Sequence, residues 1–392
     1  MRLSQRVLRI AESATLRAQR RALEMRAAGV PVIDFGAGEP DFDTPRVAVE
    51  AARAALAEGF TRYTPVAGIP ELRRALAERY AREFGAPWTA ADTMIAVGGK
   101  GALFESALAL FEPGTEVVLN SPYWVSLPEQ VRIAGAEPVE VPTSGDDGFA
   151  IHAGPILGAL TDRTRAVLVN SPGNPTGGMV APGELRKIVE ECARRDIVVL
   201  SDETYERFVY DGWEGGSAAS LAAEFPQTVA IAGSFSKTYA MTGWRLGFLL
   251  GPRELVDAAI RIQGHATSNP TSFAMKGALA ALLGADADVR AMIAEYALRR
   301  DLVVERLNRI PGIRCRAPHG AFYAFPDVSA RLGGSLKGSV DFSEKLLEEE
   351  AVATVAGEAF GSDRHVRFSF ACSRPAIAEG MDRLERFLAR HA

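Results

Sequence analysis

Cysteine is scarce in this sequence. The 392 residues contain three, Cys192, Cys315 and Cys372, odd in number and widely scattered. That usage argues against a disulfide framework and against a thiolate metal site, and it fits buried thiols in a reducing compartment. The five histidines have no metal-ligand spacing either, and none reads as a catalytic base. No stretch approaches the roughly 18 uninterrupted apolar residues of a membrane-spanning helix. The Arg-rich N-terminus lacks the apolar segment and cleavage site of a signal peptide, so a cytoplasmic protein is expected. Neither charge dominates, with 44 Lys+Arg against 49 Asp+Glu and a net charge of −5. With no basic run, that balance argues against nucleic acid as a partner.

What remains is the composition of a globular protein with a large core, 47% hydrophobic and 24% charged. The length suits two or three domains. Residues 16–28 have helical composition with Gly29 as a stop. Residues 36–45 (GAGEPDFDTP) are loop chemistry, with Asp41 and Asp43 expected in turns. Helical periodicity returns over 71–84, where Leu72, Leu76, Tyr80 and Phe84 recur every fourth residue. Short, wholly apolar runs then appear at 94–97, 117–119, 166–169, 197–200 and 229–232. Amphipathic helices such as 183–195 separate several of them. Such alternation predicts an α/β domain whose mostly parallel central sheet is covered on both faces. Helical segments at 301–310 and 380–390, with alternating strands at 321–325 and 365–370, predict a smaller α+β domain at the C-terminus.

Each apolar run of the middle ends in polar or glycine-rich residues: AVGGKGA (96–102), LNSPYW (119–124), VNSPGNPTG (169–177), LSDETYE (200–206) and AGSFSK (232–237). Ligands of open α/β sheets bind where the carboxyl ends of strands converge, so five such loops predict one shared site. Gly98–Gly101 precede an apolar helix expected from Ala102, and glycines at a helix start suit an anion. Ser234, Ser236 and Arg245 add hydroxyls and a guanidinium fork, which suit a phosphate dianion. An amine in the same loop, Lys237, suggests that the phosphate belongs to a cofactor with a carbonyl that the amine can trap. The stretch Ser234–Phe235–Ser236–Lys237 also matches the S-x-x-K of penicillin-recognising serine enzymes. Those need S-D-N and K-T-G as well, whereas the chain offers Ser201–Asp202–Glu203 and no K-T-G.

Taken together, AGEPDFDTP (37–45), YTPVAGIPELR (63–73), VGGKGAL (97–103), SPYWVS (121–126), NSPGNPTG (170–177), SDETYE (201–206) and SFSKTYAMTGWRLG (234–247) carry a resemblance. The chain resembles a class I aminotransferase of the aspartate aminotransferase family, bacterial subgroup, among the fold type I enzymes dependent on pyridoxal 5'-phosphate (PLP). The resemblance implies an N-terminal arm and helix over 1–30 and a large PLP-binding domain over 46–285. Residues 31–45 and 286–392 would form the small domain. Lys237 would be the Schiff-base lysine and proton shuttle. Asp202 would pair with the pyridine nitrogen, keeping the ring a strong electron sink. Asn174 and Tyr205 would bond the 3′ oxygen, and Trp124 would stack on the ring. Gly99, Lys100 and Gly101, with Ser234, Ser236 and Arg245, would surround the phosphate. Tyr63 would reach the phosphate of a neighbouring subunit, which implies a homodimer with shared active sites.

For substrate, the resemblance implies that Arg367 clamps the α-carboxylate with a backbone contact from Gly38, and that Trp124 and Asn174 also touch the substrate. Lys100, Ser13 and Thr15 would meet an acidic side chain. The expected reaction moves an amino group between aspartate or glutamate and 2-oxoglutarate or oxaloacetate. Other donors (aromatic, alanine) and a PLP β-C–S lyase on the same fold stay open. Prephenate is an alternative too, although residues 11–15 (AESAT) lack the lysine or proline expected of relatives that accept it. His265 is expected to serve structure or surface.

Overall fold

The computed structural model describes residues 1, 4–8, 10, 14–213 and 216–391, without the side chains of 5, 6 and 14–19. A two-residue strand, β1 (Ile33–Asp34), precedes the main sheet. That sheet comprises β2 (Thr93–Ala96), β3 (Glu116–Ser121), β4 (Glu137–Pro142), β5 (Thr164–Asn170), β6 (Val198–Asp202), β7 (Val229–Ser234) and β8 (Gly247–Leu250). Their order is β2-β8-β7-β6-β5-β3-β4. Strand β8 runs antiparallel to both its neighbours, and every other pair is parallel.

The central strands are apolar on both faces because both faces are covered. Val167, Val199 and Ile231 enter one core, while Ala166, Leu168, Leu200 and Ala230 enter the other. Successive residues of a strand point to opposite faces, so such a strand shows no polar alternation. All five expected runs are strands. Two further strands carry weaker signals. The sequence of β4, EPVEVP, holds two prolines and two glutamates and leaves most of its side chains partly or fully exposed. Those residues are tolerated at the sheet's edge, where one backbone side needs no partner. Strand β8 is four residues long and sits inside a stretch dominated by glycine and aromatics.

Two helices match the expected faces closely, and a third, expected from Ala102, begins earlier. Pro70–Phe84 buries Leu72, Leu76 and Tyr80, and Pro182–Arg194 buries Leu185, Ile188, Val189 and Cys192. Gly98–Leu110 starts at the glycines themselves. The helix expected over 301–310 is the end of a 24-residue helix, Asp286–Arg309. Its apolar stripe is interrupted in the middle by two buried arginines. Arg299 pairs with Glu295 and Asp41, and Arg300 with Asp211 and Asp301. Asp41 is therefore an ion-pair partner as well as a turn residue.

Strands β9 (Tyr323–Ala324), β10 (Val352–Ala353), β11 (Val355–Ala356) and β12 (Val366–Ser369) complete the chain's sheets. Strand β10 pairs parallel with β1, and β12 lies between β11 and β9. Around them Phe35, Phe322, Phe368 and Phe370 form a separate core, joined by Tyr205 and Phe208 from the loop after β6. Among the described residues no helix is long and apolar enough to cross a membrane.

Truncating a fully buried residue of a central strand tests this two-faced packing. Leu200→Ala should lower the free energy of unfolding by about 3 kcal/mol. The measurement is an earlier urea midpoint with unchanged slope; an unchanged midpoint would contradict the packing described.

Candidate active site

The carboxyl ends of five strands meet at one cavity of about 300 Å³. Gly99 and Lys100 follow β2, Trp124 follows β3, and Asn170 and Asn174 end or follow β5. Asp202, Thr204 and Tyr205 come from β6 and its loop, and Ser234, Ser236 and Lys237 from β7 and its loop. Arg245 precedes β8. Gly36, Gly38 and Glu39 close one side, with Tyr323 and Arg367 from the smaller sheet.

The Lys237 Nζ donates to the Gly38 carbonyl at 2.6 Å. Burial holds its pKa down to about 8; Glu39 opposes this, while Arg245, Arg367 and Lys100 reinforce it. The amine is thus far more available in neutral form than an ordinary lysine, with a pKa of about 10.4. Asp202 is 2% exposed, and its Oδ1 accepts from the Thr204 backbone N–H at 3.2 Å and from Thr204 Oγ1 at 2.8 Å. Burial pushes its carboxyl up to about 6 in spite of both bonds. The Tyr205 and Tyr323 hydroxyls share a hydrogen bond of 2.8 Å, and burial raises the Tyr205 hydroxyl well above its usual range.

Arg367 is 3% exposed. Its Nη1 donates to Asn174 Oδ1 at 3.0 Å and its Nη2 to the Gly36 carbonyl at 2.8 Å. Among the described residues Nε has no partner, and the guanidinium lies 4.5 Å from the Tyr323 ring centroid. These acceptors are neutral, so no contacting carboxylate offsets the buried charge. A buried cation in that state is costly to maintain, and it suits an anionic ligand that can take two parallel hydrogen bonds.

Glycine is required where the backbones converge. A Cβ on Gly98, whose φ is +78°, would lie 2.5 Å from Arg245 Nη2, and one on Gly247 would lie 2.2 Å from the Gly99 nitrogen. Arg245 itself is in the left-handed region at φ +55°, a conformation that non-glycine residues adopt at a cost of about 1–2 kcal/mol. Its Nη1 donates to the Thr242 carbonyl at 2.8 Å. The N-terminus of helix Gly98–Leu110, the hydroxyls of Ser234 and Ser236 and this guanidinium therefore surround one end of the cavity. That donor set fits a phosphate. Asp202, Asn174, Tyr205 and Trp124 fit a heteroaromatic ring between the phosphate end and Lys237.

Most of the residues expected at the site line this cavity; Gly101 and Tyr63 do not, and the side chains of Ser13 and Thr15 are not described. Gly101 faces a neighbouring, mainly apolar cavity of about 860 Å³, which adjoins the first through Lys100 and Arg245. Tyr63 is 89% exposed on this single chain. Ser13 lies outside the described residues, and Thr15 is in helix Ala14–Ala27 without a described side chain. Lys100 stands 4.8 Å from the Trp124 ring centroid, and its pKa is lowered by burial and by Arg245. Sequence reasoning passed over Thr204, Glu39, Thr242 and Tyr323. Thr204 sits between two recognised residues, and Glu39 follows Gly38. Tyr323 carries no signal beyond its place in an alternating strand.

The profile described as Aminotransferase class I and II matches residues 30–384. An aspartate aminotransferase of Geobacillus stearothermophilus is 40% identical over 395 residues, covering 100% of both chains. An aspartate/prephenate aminotransferase of Thermus thermophilus is 42% identical over 392 residues, covering 99% of each. Among solved structures, an aspartate aminotransferase from Thermus thermophilus with maleate superposes with a TM-score of 0.93 at 41% identity, covering 98% of this chain and 100% of that one.

The lowered lysine can be titrated directly. In the cofactor-free chain, labelling of Lys237 by trinitrobenzenesulfonate, followed by mass spectrometry, should rise with pH through a midpoint at about 8. Only the neutral amine reacts, so a depressed pKa moves the plateau to lower pH. A midpoint near that of surface lysines would refute the desolvated environment.

Proposed function

The chain belongs to the class I and II aminotransferases, and we propose that it uses PLP to move an amino group between aspartate or glutamate and a 2-oxo acid such as 2-oxoglutarate or oxaloacetate. The observation that carries this reading is the pairing of two desolvated cations in one cavity. Lys237 is an available amine, and Arg367 is a buried guanidinium bonded to neutral acceptors. When bound, PLP supplies a carbonyl for the amine and a ring that accepts the electron pair left as the substrate's Cα proton departs.

The chain's own residues do the rest. Gly99, Ser234, Ser236 and Arg245 hold the phosphate. Asp202 holds a proton at the ring nitrogen, Asn174 and Tyr205 bond the 3′ oxygen, and Trp124 covers a ring face. Lys237 would take the Cα proton and deliver it to the cofactor carbon two bonds away, and its lowered proton affinity makes the free amine that begins the transfer more available. Arg367 binds the α-carboxylate in a bidentate fork that lysine cannot copy, with Gly38 beside it. Lys100, Ser13 and Thr15 meet the distal carboxylate. The name of the Thermus relative favours one second reading, prephenate as an additional substrate.

The same reading includes a homodimer in which Tyr63 reaches the phosphate of the partner's site, and its 89% exposure supports that. It also includes a cytoplasmic location, supported by three unpaired cysteines. Separate apolar cores support a large domain over 46–285 and a small domain of 31–45 with 286–392; the arm of 1–30 would rest on the small domain through Ala22, which packs with Val32, Leu347 and Ala353.

Single-turnover conversion of the bound cofactor across a panel of amino acids tests the function. Aspartate and glutamate should react fastest, and Lys237→Ala should abolish turnover. Arg367→Lys should lower kcat/KM about a hundredfold, the loss of one charge-assisted fork. Lys100→Ala should lower kcat/KM for aspartate about tenfold and leave alanine nearly unchanged. Aspartate reacting no faster than alanine removes the dicarboxylate assignment. Pyruvate and ammonia from a cysteine conjugate, with no oxo acid present, would instead mark a lyase.

A further inference from the structure

The segment SDETYE (201–206) lies between two environments. Asp202, Thr204 and Tyr205 line the cavity, whereas the carboxyls of Glu203 and Glu206 are bound on other elements. Glu203 is 3% exposed. It accepts from Ser217 Oγ at 2.7 Å, the Ala218 backbone N–H at 2.9 Å and Ser201 Oγ at 3.0 Å. Glu206 accepts from Arg79 and, at 3.2 Å, from the Tyr80 hydroxyl, both on helix Pro70–Phe84. Arg79 is itself 4% exposed and also donates to Glu83 at 3.1 Å, which takes a further bond of 2.9 Å from Arg207.

The charges of this bracket are informative. Arg79 and Arg207 balance Glu206 and Glu83, which leaves Glu203 with neutral donors alone. Burial, with Glu206 adding, pushes its carboxyl up to about 7. Buried ion pairs of this kind are no better for stability than well-packed apolar side chains of the same volume. Stability is therefore a poor account of two glutamates flanking the two cavity residues. Their geometric effect is specific. Past Glu203, whose backbone N–H still donates to the Ala232 carbonyl of β7 at 2.9 Å, the chain leaves the sheet, and the two carboxyls restrain the loop at either end of the Thr204–Tyr205 pair.

We propose that Glu203 and Glu206, the latter held by Arg79 and Tyr80, are positioning residues that fix the Asp202 carboxylate and the Tyr205 hydroxyl against the cofactor ring. The inference rests on the assignment of Asp202 and Tyr205 to that ring. Glu203 anchors the loop to the segment at 217–218, and Glu206 anchors it to helix Pro70–Phe84. Neither touches the reacting atoms. A displacement of about 1 Å at such a site costs about a hundredfold in rate, so a loosened bracket reads out in the cofactor before it reads out in substrate binding.

The test uses the holoenzyme and the variants Glu206→Gln, Tyr80→Phe, Glu203→Ala and Glu203→Gln. Four quantities are measured: the pH midpoint of the bound cofactor's visible absorbance, the dissociation constant of PLP from the apoenzyme, kcat, and KM for aspartate. Glu206→Gln should weaken PLP binding about tenfold, move the absorbance midpoint, and lower kcat while KM changes little. Tyr80→Phe removes one hydroxyl and keeps the packed ring, so it should fold and show smaller shifts in the same direction. Glu203→Ala should behave like Glu206→Gln, and Glu203→Gln, whose Oε1 still accepts from Ser201 and Ala218 while its Nε2 donates to the Ser217 hydroxyl, should restore most of the loss. An absorbance midpoint and PLP affinity equal to wild type in both Glu206→Gln and Tyr80→Phe overturns the proposal, even if the melting temperature falls. Failure of the cofactor assignment would look different: the unaltered chain would then give no visible band with PLP.

Discussion

Two positive charges are held out of water at this site without a carboxylate in contact among the described residues. That is the constraint on which the rest of the architecture depends. Lys237 rests on a backbone carbonyl, and Arg367 on an amide oxygen and another carbonyl. Desolvating a cation is unfavourable unless an anion or a set of dipoles compensates, so both side chains need rigid surroundings. Lys237 has them because Ser234 caps the short turn that carries it, accepting from the Ser236 backbone at 3.0 Å. Arg367 has them because its strand is buried along its length and its guanidinium is flanked by the rings of Tyr323 and Phe360.

The sheet supplies the convergence, and one antiparallel strand completes it. Parallel strands bring their carboxyl ends to a common edge. Because β8 runs the other way, its beginning lies at that edge instead. Gly247 pairs with Ser234 of β7 on one side and with Ala96 of β2 on the other. Arg245, two residues earlier, therefore arrives beside Gly98 and the serines. The close approach of Gly247 to Gly99 and the left-handed backbone of Arg245 follow from the same reversal. A phosphate-sized concavity results from topology and from glycine's lack of a side chain.

The parts of this architecture that are visible in the sequence are those with a repeating physical cause. Double burial makes β5, β6 and β7 apolar throughout, and one-sided burial gives Pro70–Phe84 and Pro182–Arg194 their periodicity. Each fails where a local interaction replaces the pattern. Strand β4 is an edge with charge and proline, and the middle of helix Asp286–Arg309 fills its buried positions with paired arginines. Within the cavity, loop chemistry identified residues at strand ends, and the resemblance supplied their roles. Arg367 shows the limit of periodicity. Alternation alone puts it on the solvent side of its strand, yet aromatic rings and a carbonyl enclose it. Thr204, Glu39 and Tyr323 act through distances that no spacing rule encodes.

The electrostatics of Lys237 connect these features to substrate choice. Three cations lower its proton affinity: Arg245, Arg367 and Lys100. On the proposed reading each of them faces a different anion, respectively the cofactor phosphate, the substrate α-carboxylate and the distal carboxylate. Binding any one of these anions offsets one of the three repulsions, and an opposite charge nearby always favours the protonated amine. Unopposed, the three repulsions lower the proton affinity of Lys237, which suits an amine that must react with a carbonyl, while bound anions raise it, which suits a Lys237 that must keep the proton it removes. A dicarboxylic substrate cancels two of the repulsions and a neutral amino acid only one. Preference for aspartate would then reside partly in the proton affinity of the lysine and not only in the contacts of the distal carboxylate.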